Sequence, residues 1–225
     1  MTEDIEDPVS SGNGNGSEIW VQEFTSESAQ QFREQVLERS DKEGVMVIPI
    51  YIDSYGGSVD ALAKMISTMD SVPNRFVTVC IGKACSAGAV LLSHGDIRFC
   101  DKYSRVMVHN LSTVLFGDVH ALAAGSSEAN RLNLVFNGLL AKNCGISYHD
   151  LQQKIKDAPD SKDLWMSPDD AHKFGIVDQI GVPELVPVIQ WACDARPDKE
   201  RFNLRDHLEP ATPKKKTTTA KKKRK

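Results

Sequence analysis

Strand and helix signals alternate along this chain, which predicts an α/β fold of repeated strand–helix units with disordered N- and C-terminal arms. Three observations carry that expectation. Short apolar, β-branched runs recur between segments whose apolar residues fall at helical spacing. Turns rich in glycine and small residues separate a run from the helix that follows it. Both ends are low in complexity, with a Ser/Gly/Asn run at 10–17 and lysine and threonine blocks after Pro213.

The elements follow in order. Glu18 to Phe24 reads as a first strand, with Ile19 and Val21 on one face. Residues 26–39 suit a helix through Phe32, Val36 and Leu37. Val45 to Ile52 has the length of a strand, although Pro49 removes one ladder donor. Residues 58–70 suit a helix, because Val59, Leu62, Ile66 and Met69 share a face. Phe76 to Ile81 is strand-like, and Ser86 to Leu92 reads as a short buried helix. Ile97 to Cys100 and Val106 to Val108 are two further short strands. Residues 118–143 hold the longest helical pattern, with Leu132, Val135, Phe136, Leu139 and Leu140 along one stripe. Ser167-Pro168-Asp169-Asp170 is a helix start with a serine cap, proline in the first turn and acids behind it. Gly175 ends that helix, and Ile176 to Ile180 returns to strand.

Three segments are expected: a disordered arm at 1–17, one domain at 18–194, and an extension at 195–225 with a lysine-rich tail. Apolar residues make up 40% of the 225 and charged residues 26%, the balance of a globular protein. No run reaches the roughly 18–20 apolar residues of a membrane helix, so no membrane partner is expected. The acidic, polar N-terminus lacks the apolar segment of a secretory signal, which favours a cytoplasmic location. The five cysteines (80, 85, 100, 144 and 193) form no C-x-x-C pair, so reduced thiols fit better than disulfides or zinc. Residues 214–225 carry eight positive charges and no acid, leaving −12 for the rest of a chain whose total is −4. A solvated end is the plain reading of that tail, and nucleic acid or another polyanion is its alternative partner.

Four segments carry chemistry. Asp53-Ser-Tyr-Gly-Gly-Ser-Val59 lies between a strand and a helix, where paired glycines allow positive φ and close approach to backbone N–H groups. Gly82-Lys-Ala-Cys-Ser-Ala-Gly-Ala89 surrounds one hydroxyl with small residues at a helix start. This has the logic of a nucleophile elbow, although Ala84 stands where G-x-S-x-G has its first glycine. Val106-Met-Val-His109 ends an apolar strand in histidine, and Lys162-Asp-Leu-Trp-Met-Ser167 precedes the capped helix. Singly, each has a bland reading: a turn, a capping serine, a structural histidine, a loop acid.

Together, in this order, the four segments resemble those of ClpP-like serine peptidases, the proteolytic subunits of Clp proteases within the crotonase-like superfamily. Ala171-x-x-Phe-Gly-Ile-Val-Asp178 is also similar, and the resemblance covers about residues 18–182. It implies a ClpP/crotonase-like fold and serine endopeptidase activity. Ser86 matches the nucleophile, His109 the general base and Asp163 the acid that orients it. The N–H groups of Gly57 and Ala87 match the oxyanion hole, and Gly56, Ser58 and Asn110 match the substrate-binding edge. No metal or organic cofactor is implied. The implied partners are peptide or protein substrates, further copies in heptameric rings, and an AAA+ unfoldase. The long helix at 118–143 corresponds to the family's handle between rings.

The chain also departs from the pattern. Tyr55 replaces a proline, Asn110-Leu111 replaces Gln-Pro, and residues 111–119 lack the family's glycines. Lys162 stands for an arginine whose bidentate fork lysine cannot reproduce. Residues 1–17 do not resemble the family's pore-lining loop. These differences suggest a divergent, phage-encoded or accessory member. The rival readings are a catalytically idle ring or scaffold subunit, an acyl-CoA hydratase or isomerase of the same superfamily, and a Ser-Lys dyad peptidase.

Overall fold

A computed structural model describes residues 18–114, 116–159 and 163–183. The expected arms at 1–17 and 195–225, the last residues of the expected domain and Lys162 lie outside the described residues. The elements run β1 (Ile19–Val21), α1 (Ser26–Ser40), β2 (Val47–Ser54), α2 (Val59–Asp70), β3 (Arg75–Cys85), α3 (Ala87–Ser93), β4 (Ile97–Cys100), β5 (Arg105–Val108), α4 (Val119–Asn143), α5 (Tyr148–Lys156), β6 (Leu164–Met166), α6 (Pro168–Phe174) and β7 (Gln179–Ile180). The expected α/β fold is what forms.

A parallel ladder runs β1-β2-β3-β4-β7. β5 joins β3 in parallel, and β6 closes onto β5 antiparallel. Both faces of β2 and β3 are apolar, with a period of two, as a covered parallel sheet requires. Ile48, Ile50, Ile52, Phe76 and Cys80 enter the main core with Phe32, Leu62, Met65 and Leu91. Tyr51, Val77 and Val79 point the other way and pack with Ile81 and Phe99. Trp20 stacks on Tyr51 there, ring centroids 5.0 Å apart. Pro49 stands in the β2–β3 ladder opposite Val77, one residue before β1 begins to pair with β2 at Ile50.

β3 changes partner along its length, and this positions the site. Val77 to Cys80 pair with β4, whereas Lys83 to Cys85 pair with β5. Between them Gly82 has φ +82, and a Cβ there would lie 2.9 Å from Asp53 Oδ1. Glycine suits that bend, since any other residue would be strained at this φ and would have to push the Asp53 carboxylate aside. Ser104 Oγ accepts the Gly82 N–H at 2.7 Å, fixing it beside the start of β5. The sequence expectation stopped this strand at Ile81. The bend carries it on to Cys85, so that it delivers Ser86.

Local signals set most helix ends. Thr25 and Ser28 form a reciprocal capping box on α1, and Ser58, Asp118, Ser147 and Ser167 cap α2, α4, α5 and α6. Gly175 ends α6 in the left-handed conformation at φ 87. Three expectations need correction. The final strand is only Gln179–Ile180, because Ile176 and Val177 fill the core from a bend rather than a ladder. α5 and β6 were not expected at all. Val135 is 48% exposed, and the buried side of α4 is instead Asn137, Leu140 and Ala141.

Candidate active site

Ser86 sits at the junction of β3 and α3 with φ 54 and ψ −118, and it is the one non-glycine residue with positive φ among the described residues. Such a conformation costs roughly 1–3 kcal/mol and persists only where the surroundings impose it. Here they do. The Ser86 N–H donates to Met107 O at 2.8 Å, and all of α3 behind it is buried. The serine makes no side-chain capping bond to α3, so its hydroxyl is available elsewhere.

That hydroxyl meets His109. Ser86 Oγ lies 2.8 Å from His109 Nε2. β5 pairs with the end of β3, so the residue just past Val108 arrives beside the residue just past Cys85. Asp163 Oδ1 lies 3.5 Å from His109 Nδ1. Asp163 is delivered by β6, whose first residue, Leu164, pairs with Val108. The 3.5 Å separation exceeds the usual charge-assisted bond of about 2.7–2.9 Å. Such contacts commonly tighten only when substrate binds. With the imidazole proton on Nδ1, the Ser86 O–H donates to Nε2 and Nδ1–H faces the carboxylate.

Of the two glycines of the Asp53–Val59 turn, Gly56 packs against this serine and Gly57 against Phe24. Gly56 has φ +101, and a Cβ there would lie 2.8 Å from both Cys85 O and Ser86 Cβ. Gly57 has φ +149, and its Cβ would lie 2.7 Å from Phe24 O. Gly57 forms a parallel bridge with Phe24, closed by the Ser58 N–H donating to Phe24 O at 2.8 Å. In such a bridge the bonded groups are those flanking Gly57, so the Gly57 N–H points away from Phe24. The Ala87 N–H opens α3 and has no intrahelical acceptor. The Gly56 N–H donates to Ser54 Oγ at 3.1 Å. Ser58 uses its hydroxyl to cap α2, accepting from the Ala61 N–H at 3.4 Å. Asn110 Oδ1 accepts from Asn137 Nδ2 at 3.0 Å.

A cleft opens beside Ser86 and His109, walled mainly by Val59, Leu62, Val90, Leu111, Leu132 and Phe136. Asn133 and Asn137 complete its floor. The sequence reading passed over both asparagines. Their signal was two amides one turn apart inside an otherwise apolar stripe.

Cys85, next to Ser86, is buried, and burial pushes its thiol up from the ordinary value. It packs as a small apolar residue. Among the described residues, no group of three or more His, Cys, Asp or Glu could hold a metal ion, and no helix is long and apolar enough to cross a membrane.

Across residues 16–184 the sequence matches the model of the Clp protease family. That match takes in every element from β1 to β7 and all three residues gathered at the elbow. The chain therefore belongs to the Clp protease family.

Proposed function

We propose that the chain is a serine endopeptidase in which Ser86 attacks the scissile carbonyl carbon. The observation that carries this reading is the 2.8 Å contact between Ser86 Oγ and His109 Nε2 at a strained elbow. As Oγ bonds to the carbonyl carbon, its proton passes to His109 Nε2. The carbonyl oxygen becomes an oxyanion, and the N–H groups of Gly57 and Ala87 donate to it. Loss of one such donor typically costs about 3–4 kcal/mol of transition-state stabilisation. Asp163 holds the imidazole by Nδ1 and stabilises the imidazolium. Collapse expels the amine, which takes the proton from His109 and leaves an acyl-Ser86 ester. Water then attacks that ester, His109 takes a proton from the water, and the acid product leaves with Ser86 restored.

The apolar walls of the cleft support a substrate with an apolar side chain next to the scissile bond. Burying a leucine-sized side chain there contributes about 1.5–3 kcal/mol. For Gly56 and Ser58 the proposed substrate-binding role is to shape the turn that presents the Gly57 N–H, since their own N–H groups and the Ser58 hydroxyl already have internal partners. For Asn110, whose Oδ1 is held by Asn137, it is a backbone edge along an extended peptide. Family membership supports assembly of several copies, and the proposal extends this to seven-membered rings that enclose the site, with an AAA+ unfoldase as partner.

The test is hydrolysis of a fluorogenic peptide with an apolar residue before the cleaved bond, by the wild type and by Ser86→Ala. A fall of at least about 10⁴-fold on removing the nucleophile is expected. Equal rates in both would end the proposal.

A further inference from the structure

His109 is the first residue beyond β5, so no strand ladder fixes the chain that leaves it. Its carboxylate partner stands 3.5 Å away, too far to orient the ring alone. The segment is held instead by three asparagines. The Leu111 N–H donates to Asn133 Oδ1 at 2.9 Å. Asn137 Nδ2 donates to Asn133 Oδ1 at 3.0 Å and to Asn110 Oδ1 at 3.0 Å, with His109 O at 3.5 Å. Asn133 Nδ2 in turn donates to Tyr148 OH at 3.3 Å, at the start of α5.

The polarity of this network is determined. A backbone N–H can only donate, so Asn133 must present its oxygen to Leu111. That oxygen forces Asn137 to present its nitrogen, and the nitrogen forces Asn110 to present its oxygen. Asn137 is only 5% exposed, on the buried side of α4. A buried amide costs stability unless it is hydrogen-bonded, and here both amide hydrogens have acceptors.

We infer that Asn137 is a positioning residue for His109, acting as a donor that fastens residues 109–111 to α4 and so holds the imidazole against Ser86. The inference rests on the peptidase reading of Ser86 and His109. A misplacement of about 1 Å at a catalytic group can cost on the order of 10²-fold in rate.

Polarity makes the test specific. Asp in place of Asn137 has the same shape but turns a donor into an acceptor that faces oxygens. Asp in place of Asn133 keeps the acceptor for both Leu111 and Asn137. The rate of Ser86 labelling by a small dialkyl fluorophosphonate, which has no side chain to fill the apolar cleft, is measured for wild type, N137D, N137L and N133D, with thermal unfolding in parallel. N137D and N137L are expected to label roughly 10- to 100-fold more slowly than wild type, and N137D at least about tenfold more slowly than N133D. Equal labelling of folded N137D and wild type, or equal slowing of N137D and N133D, overturns the inference. Should the Asn137 variants not fold, residue-level hydrogen exchange on the unaltered protein decides. The Leu111 amide is expected to exchange at least about tenfold more slowly than that of Ser112, and equal exchange overturns the network. A wild type that does not label at Ser86 removes the peptidase reading and this inference together. Labelling of wild type with an insensitive N137D removes only the inference.

Discussion

Ser86, Gly56 and Gly57 occupy three positive-φ positions, with Gly56 packed against Ser86 and Gly57 against Phe24. Their constraint is steric and does not depend on the chemistry proposed for them. Gly57→Ala would set a Cβ 2.7 Å from Phe24 O and 3.0 Å from Phe24 Cβ, so the bridge to Phe24 must shift and the Gly57 N–H must turn with it. The expected result is a stability loss of about 1–3 kcal/mol and a peptidase loss of at least about 100-fold, read by denaturant unfolding and peptide hydrolysis. Cys85 gives the opposite expectation. Its neutral, buried thiol should resist iodoacetamide in the folded protein, and Cys85→Ala should hydrolyse peptide within about threefold of wild type. Rapid alkylation of Cys85 with loss of activity would mean that the thiol takes part.

At the scale of elements, Arg98 joins β4 to the ends of two helices. Its guanidinium donates to Gly175 O at 2.9 Å and Asn143 O at 3.1 Å, and it pairs with Asp178. Arg98 holds the Asp178 carboxyl below its usual value. A carboxylate depressed in this way stabilises the fold above its unfolded pKa near 4, and the contribution is lost as pH falls through the lower folded value. Asp178→Asn should therefore lose about 1–2 kcal/mol at pH 7, the partial exposure of the pair having been discounted. The gap from wild type should close in acid below about pH 4, as followed by denaturant unfolding across pH. A constant gap across that range would show that the charge is not what matters. Elements with strong local signals were legible in the sequence: Ser167, Pro168 and Gly175 bracket α6 as expected. α5 was missed although Ser147 and Asp150 mark its start, because only Leu151 and Ile155 are buried in it. β6 is three residues long and exists through its pairing with β5, which no local pattern encodes. Val135 was misassigned because the side of α4 that packs is chosen by what it meets, and two asparagines bond there.

Across the whole molecule, the site joins residues far apart in sequence: Ser86 at the end of β3, His109 just past β5 and Asp163 just before β6. No periodicity brings these together. They were legible through the order and local sequence of four motifs, whereas the hold of the amide network on residues 109–111 was not, since those bonds reach 22 to 28 residues along the chain. Trp20, Tyr103, Phe116 and Val119 are exposed apolar side chains, and family membership implies assembly of several copies. Light scattering is expected to give a mass several times the 24.8 kDa of one chain. A stable monomer that still hydrolyses peptide would separate activity from assembly. Activation of Ser86 as a nucleophile is tested by fluorophosphonate labelling of the purified protein, with the modified residue mapped by mass spectrometry. A single adduct on Ser86, abolished by His109→Ala, is expected. A confirmed, folded oligomer that takes no label at Ser86, or that labels equally without His109, would contradict it.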